Sequence, residues 1–513
     1  MKVQTGPPAD LMLLINSAAD ARKGLDHQRS FDLLEKARKM YPGAFPPLIE
    51  LGRAHGMRYN YALAKRHFDE AVKMSGRNPK VLILVGLHSL EFGQYAMAQE
   101  YFELATKKTG APVEAFSHLA EIYERQNRLD DASIIVERAL KIDPKNVPVK
   151  LLHAQLHRRA GRLELAEKTL KLFLASPPDS KDVPRFWYEL GNVLDRMGRY
   201  DDAMTAFLTA KALMIPNAGG DQARMAQARN RMRMSESMVL PDVVERWSKI
   251  GEQLQPLRRF AVLSGHPRSG TTLIEQVLDA HPDVVSGDEN RIFSEESFQP
   301  VWNRFPQETP LVTILDSQNV ADLQNMRSNY FHYIEAFIGE KIAGRILVEK
   351  NPGLGGFIPA FMHIFPEARF LVAIRDPRDV CLSCFMQDLS LNPISSTYLT
   401  LEGTVDQYAS TMNMWRVMLP RMRNPHLLIR YEDVLENLES ESRKVLEFLG
   451  AAWDERVLRF HEHAQTKVIR SPTYSDVTKP IFKTSKGRWH NYQKYLEPCL
   501  KKLEPYAKWF GYE

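Results

Sequence analysis

The sequence predicts a multidomain chain: an all-α repeat solenoid, then an α/β domain built on a parallel sheet with a phosphate-type loop. Three observations predict this. Small and apolar residues recur at a fixed 34-residue spacing through the N-terminal half. From residue 257 onward, short apolar strand-like runs alternate with helical stretches. The first of those runs ends in Gly265-His266-Pro267-Arg268-Ser269-Gly270-Thr271-Thr272, with the glycine spacing of a phosphate loop. The boundaries expected are 1–215 for the solenoid, 216–256 for a helical linker and 257–513 for the α/β domain.

The repeat starts with Gly52, Ala64, Phe68 and Ala71, and returns as Gly86, Ala98, Phe102 and Ala105. Ala120, Ala132, Val136 and Ala139 follow, then Ala154, Ala166 and Leu170. Gly191, Ala203, Phe207 and Ala210 come 37 residues later, the extra residues falling in the proline-rich turn 176–184. Ala18, Ser30, Leu34 and Ala37 make a weaker first unit. Small residues let paired helices touch, and the apolar ones fill the seam. This pattern resembles the tetratricopeptide repeat. Such a resemblance implies a right-handed superhelix whose concave face docks a peptide or protein. A purely structural or self-associating array, and with it a homo-oligomer, is the competing reading. Residues 217–256 break the period and predict a basic helix whose methionines pack on the last repeat.

With 513 residues, two or three domains are expected. A content of 44% hydrophobic and 26% charged residues is that of a globular protein. The net charge of +5 is small, and no basic stripe with interleaved aromatics appears, which argues against a nucleic-acid partner. Three cysteines favour a reducing compartment over a disulfide framework. Cys381 and Cys384 lack further ligands for zinc, so no metal is expected. The segment MKVQTGPPAD has no signal-like apolar run, and no stretch reaches the roughly 18 apolar residues of a membrane span. The expectation is a cytoplasmic protein.

Strand-like runs lie at 260–264, 345–349, 369–374 and 426–430, with helical segments at 271–280, up to Ile364, 377–386 and 438–450. Apolar strands alternating with helices indicate a parallel sheet covered on both faces. Ligands of such sheets bind beyond the strands' carboxyl ends, and the informative motifs begin there. The loop 265–272 has no lysine where nucleoside-triphosphate loops place one; Thr271 stands there and Arg268 sits inside the loop. It can still aim backbone N–H groups at an anion. Lys350 follows the second run and can supply the missing charge. Arg375 follows the third, with Ser383 eight residues on, and together they can hold one phosphate.

Arg268–Thr272, HPDVVSGDENR (281–291), EKNP (349–352), VAIRDPRDVCLS (372–383) and IRYEDV (429–434) resemble the motif series of sulfotransferases, most of all the tyrosylprotein sulfotransferases. The likeness covers most of 259–490 and implies a P-loop-like sulfotransferase domain. It further implies the donor 3′-phosphoadenosine 5′-phosphosulfate (PAPS), released as adenosine 3′,5′-bisphosphate, without metal. By resemblance, Arg268, Ser269, Gly270, Thr271 and Thr272 cradle the 5′-phosphosulfate, while Arg375 and Ser383 hold the 3′-phosphate. Glu289, 21 residues after Arg268, falls on the catalytic base and Lys350 on the lysine stabilising the transferring group. Tyr431 falls on the adenine side, and Lys486 on a late lysine of the donor-covering segment 477–489. Asp288-Glu289-Asn290-Arg291 stands where the family has Glu-Glu-Thr-Arg, which keeps the base and alters its surroundings.

The chemistry agrees. A transferring sulfuryl group passes through a loose transition state that positioned cations and N–H groups can stabilise. A phenol of pKa about 10 must lose its proton to a carboxylate of about 4.3, so Glu289 needs a dry site. His266 is an alternative base, whereas His281 reads as a helix-end residue. A tyrosine acceptor is favoured by the base position and the repeats. A glycan or lipid-linked saccharide, a non-catalytic nucleotide-binding scaffold and, last, a kinase are the alternatives.

Overall fold

The computed structural model describes residues 8–178, 180–465, 467, 469–471, 474–481 and 485–512. The chain forms two compact units, Met1–Leu156 and His157–Glu513. The sequence periodicity runs on past this division, to about residue 215.

In the first unit, helices Ala9–Lys23, Pro46–Met57, Pro79–Glu91 and Val113–Arg125 are each followed by a partner: His27–Met40, Tyr61–Met74, Tyr95–Thr106 and Leu129–Ile142. The seam is as tight as the small residues predict. A Cβ added at Gly52 would lie 2.5 Å from the Phe68 ring, and one at Gly86 would lie 2.7 Å from Phe102. Ala64, Ala98 and Ala132 are fully buried beside them. The weak first unit packs like the rest, with Ala18, Ser30, Leu34 and Ala37 all buried. Asp26 and Asn60 cap the second helices of their pairs by accepting from Arg29 N and Leu63 N.

The second unit carries the last repeat helices, Leu163–Leu174, Val183–Arg196 and Tyr200–Met214. Gly191 stands against Phe207 there as Gly86 stands against Phe102. Two helices, Gly219–Met238 and Pro241–Gly251, occupy the expected linker. Met232 departs from the methionine expectation: it is buried against Gly355 and Gly356, which belong to the α/β domain and not to the last repeat.

Five parallel strands follow among the described residues: β1 (Phe260–Gly265), β2 (Val284–Ser286), β3 (Ile346–Lys350), β4 (Arg369–Ile374) and β5 (His426–Arg430). Their order is β2-β3-β1-β4-β5. The central register sets Val262 beside Glu349 on one side and Phe370 on the other. β2 went unread because three residues between two helical segments carry no period; pairing with β3 makes it a strand. The chain leaves β1 toward β3 and β2, then returns to β4 and β5. This places a topological switch between β1 and β4, where the loops at their carboxyl ends diverge and leave a crevice.

Candidate functional site

The loop after β1 turns through backbone conformations that dictate its composition. Gly265 has φ 149°, and a Cβ there would meet the Ala373 carbonyl oxygen at 2.3 Å. Gly270 has φ 95°, and its Cβ would sit 2.4 Å from the Tyr431 ring. Arg268 itself lies at φ 72°. Helix Thr271–Asp279 starts immediately afterwards, and among the described residues no side-chain hydrogen bond caps its N-terminus. A helix start of this kind offers N–H groups and a positive dipole end that suit an anion.

Arg268, Gly270, Thr271, Thr272, Glu289, Arg375, Ser383 and Tyr431 line one cavity of about 730 Å³. Ser269 is buried behind the loop, its N–H donating to the His266 carbonyl at 3.1 Å. Arg268 Nε donates to Ser383 Oγ at 2.9 Å, and Arg375 Nη1 donates to the Arg268 carbonyl at 3.2 Å. Arg375 Nη2 donates to the Ser485 carbonyl at 2.6 Å, and the Tyr431 ring lies 4.9 Å from its guanidinium. Its Nε is buried with no hydrogen-bond partner among the described residues. Asp376 caps helix Pro377–Phe385 and pairs with Arg378 at 2.7 Å, while the buried Asp379 stands 3.9 Å from Arg375 Nη2. Lys486 departs from expectation. It is exposed, paired with Glu436, and lies off the cavity wall, which its neighbours Ser485 and Arg488 line.

Lys350 ends β3 fully buried and off the cavity wall, which Glu289 and Asn351 line, and is not a solvated surface lysine. Its Nζ donates to Glu289 Oε1 at 2.8 Å, and stands 3.2 Å from Glu275 Oε2 and 3.6 Å from Asp288 Oδ1. Burial alone would lower its pKa, but Glu275, Glu289 and Asp288 hold it above the ordinary lysine value. Asn290 turns inward and donates to Glu349 Oε2 at 2.9 Å, which also accepts from Tyr330 Oη at 2.7 Å. Burial pushes Glu349 up to about 7. Arg291 points outward to Glu295, 3.6 Å away, and leaves Glu289 to Lys350. Asn290 thus braces the end of β3 behind Glu289.

Both histidines are buried. His281 accepts from Asp283 N at 3.1 Å and contacts the Ala452 carbonyl at 2.8 Å, which is the helix-end role expected. His266 lies beneath the loop and off the cavity wall, and burial lowers it to about 4. Its Nδ1 stands 2.8 Å from the Pro267 carbonyl, so it is poorly placed as a base. Cys381 and Cys384 are buried free thiols whose pKa burial raises.

Several cavity residues were not foreseen. Asp379 accepts from Gly487 N at 2.7 Å and Trp489 N at 2.8 Å, fixing the segment that carries Ser485 and Arg488. Asp195, on helix Val183–Arg196, accepts from Tyr492 Oη at 2.6 Å and pairs with Arg488 at 2.7 Å. Asp195, Arg196 and Tyr200 also line the cavity, so the last repeat helices supply part of its wall. Asp195 falls inside the repeat pattern, and only folding brings it here. Glu275 left one readable trace, a charge among apolar residues of a helix that is buried all round.

Residues 261–455 match the family described as Sulfotransferase family, and 89–156 and 151–218 match two tetratricopeptide repeat families. An uncharacterized protein of Aquifex aeolicus (strain VF5) is 22% identical over 445 residues, 85% of this chain and 56% of its own length. Protein-tyrosine sulfotransferase A of Caenorhabditis elegans is 26% identical over 251 residues, covering 45% of this chain and 60% of its own. Protein-tyrosine sulfotransferase 1 of Danio rerio is 26% identical over 243 residues, 44% and 64% respectively. The chain thus spans between 56% and 64% of the length of these relatives. Residues 261–455 are thus matched as a sulfotransferase-family domain, on a chain whose residues 89–218 are matched as tetratricopeptide repeats.

Proposed function

We propose that this domain transfers a sulfuryl group from PAPS to an acceptor hydroxyl, a protein tyrosine above other acceptors. The observation that carries the reading is the 2.8 Å pair of Glu289 and Lys350 beside an uncapped anion loop. The residues fit such a donor. Arg375 holds a buried N–H with no partner among the described residues, and Arg268, Arg375 and Ser383, all on the cavity wall, are already joined.

The donor supplies the activated sulfuryl group. Around it the loop N–H groups and Arg268 would neutralise the 5′ end, while Arg375 and Ser383 would engage the 3′-phosphate. Tyr431 offers a face beside Arg375 for the base. Lys350 would give its N–H to the oxygens on which charge develops. In doing so it loosens its hold on Glu289, whose carboxylate then takes the acceptor's proton. This exchange couples arrival of the donor to release of the base. The tyrosine preference rests on likeness to protein-tyrosine sulfotransferases, and the repeats offer a means of holding a protein acceptor. Labelled donor incubated with a tyrosine-peptide library and, separately, with polysaccharides tests the reading. Label entering tyrosine is expected; label entering only saccharide overturns the acceptor, and none in either overturns the transfer.

A further inference from the structure

Glu275 is the least explained group near the site. It sits one turn into helix Thr271–Asp279, wholly buried, among Leu273, Ile274, Val277 and Leu278. A charge has no business there unless something compensates for it. Its Oε1 accepts from Ser286 Oγ on β2, and its Oε2 has no hydrogen-bond partner among the described residues beyond the 3.2 Å approach of Lys350 Nζ. The ammonium of Lys350 therefore faces three carboxylates: Glu275, Asp288 and Glu289. If all three are ionised, one positive charge meets three negative ones in a place meant for an anionic donor.

We propose that Glu275 is a positioning residue that holds Lys350 from behind and takes up one proton when the donor's anion enters. This rests on the sulfuryl-transfer reading above. The proton comes from solvent to a carboxylate oxygen of Glu275 and returns to solvent when the nucleotide leaves, so the step balances. With Glu275 neutral, Lys350 is less tightly held and turns its N–H toward the donor; Glu275, fixed by Ser286, keeps it from moving further. The groups facing Glu275 are Lys350 on β3, Asp288 after β2, Lys467 after helix Phe460–Gln465, and the Ser286 hydroxyl. Burial raises the Glu275 carboxyl, Asp288 adds to the rise, and Lys350, Lys467 and Ser286 oppose it; the result is about 7.

The test compares wild type with Glu275→Gln. A carboxyl raised in the folded state stabilises fully below its unfolded pKa of about 4.3, and that stability is lost as pH rises to about 7. The difference in Tm, Glu275→Gln minus wild type, should therefore climb from about pH 4.3 to about 7 and level off above it. Calorimetry with adenosine 3′,5′-bisphosphate in two buffers of different ionisation enthalpy should show proton uptake in wild type and none in the variant. Nucleotide Kd should stay within about threefold, while kcat falls roughly tenfold to a hundredfold from the misplaced lysine. A flat Tm difference, persistent uptake or a wild-type kcat in Glu275→Gln overturns the assignment. Should that variant not fold, Glu275→Asp keeps the carboxyl and should keep the uptake with a lowered kcat; wild-type kcat there overturns it equally. Wild type that binds no nucleotide instead overturns the donor reading, and the Tm difference still judges the buried proton of Glu275.

Discussion

Arg268 and Ser383, 115 residues apart in the chain, meet at 2.9 Å, and Arg375 donates to the carbonyl of the same Arg268. One hydrogen-bonded group thus joins the loop after β1 to the helix after β4 across the switch in the sheet. If this group reads the 3′-phosphate, adenosine 3′,5′-bisphosphate should bind much more tightly than its 3′-dephospho form. Arg375→Ala should remove most of that preference. A charge-assisted contact contributes about 1.5–3 kcal/mol, or roughly 10- to 150-fold in Kd. Equal affinity of wild type for both nucleotides, measured by calorimetry, would undo the assignment.

Glu289→Ala should lower kcat by about 10²–10⁴-fold, the usual worth of general-base catalysis, while nucleotide Kd changes little. Single-turnover kinetics with saturating donor separates the two. A variant as active as the parent means that another group takes the proton.

Lys350→Met should abolish transfer and also destabilise the fold. It leaves the fully buried Glu275 without its cation, a loss that grows as pH rises above about 7 because the carboxyl must then be kept protonated. The double variant Lys350→Met with Glu275→Gln should recover much of the Tm and none of the activity. Recovery of neither would mean that Glu275 and Lys350 are not energetically coupled.

Asp195→Asn should weaken nucleotide binding roughly tenfold, because it removes the charge that pairs with Arg488 on the cavity wall. The kcat at saturating donor should hold. Tyr492→Phe, which removes the other contact on Asp195, should act in the same direction and more weakly. Unchanged Kd in Asp195→Asn would show that this repeat residue only buttresses the fold.

Gly86→Val should destabilise the first unit by about 1–3 kcal/mol, since its Cβ would lie 2.7 Å from the Phe102 ring in a filled seam. Thermal unfolding of Gly86→Val alone and with Phe102→Leu checks the cause. The smaller partner should restore part of the loss.

The sequence by itself determined the two fold classes, four of the five strands among the described residues and the glycine turn after β1. Each of these is written locally. A helix seam repeats its small residues every 34 positions, buried strands are short apolar runs, and the turn after β1 demands glycine where φ is positive. β2 escaped because three residues carry no period. Tertiary structure alone decided which charges meet. Lys350 could have been a solvated lysine, and only the closing of β3 against helix Thr271–Asp279 and the loop after β2 buries it among three carboxylates. Asn290 became a brace for Glu349 in the same way, and Lys486 was drawn off to Glu436. Asp195, placed by periodicity among the repeats, turned out to hold Arg488 on the cavity wall. Backbone conformation and burial pattern are set by neighbours in sequence. Coulombic partners are set by neighbours in space, and their worth depends on a desolvation that no stretch of sequence displays.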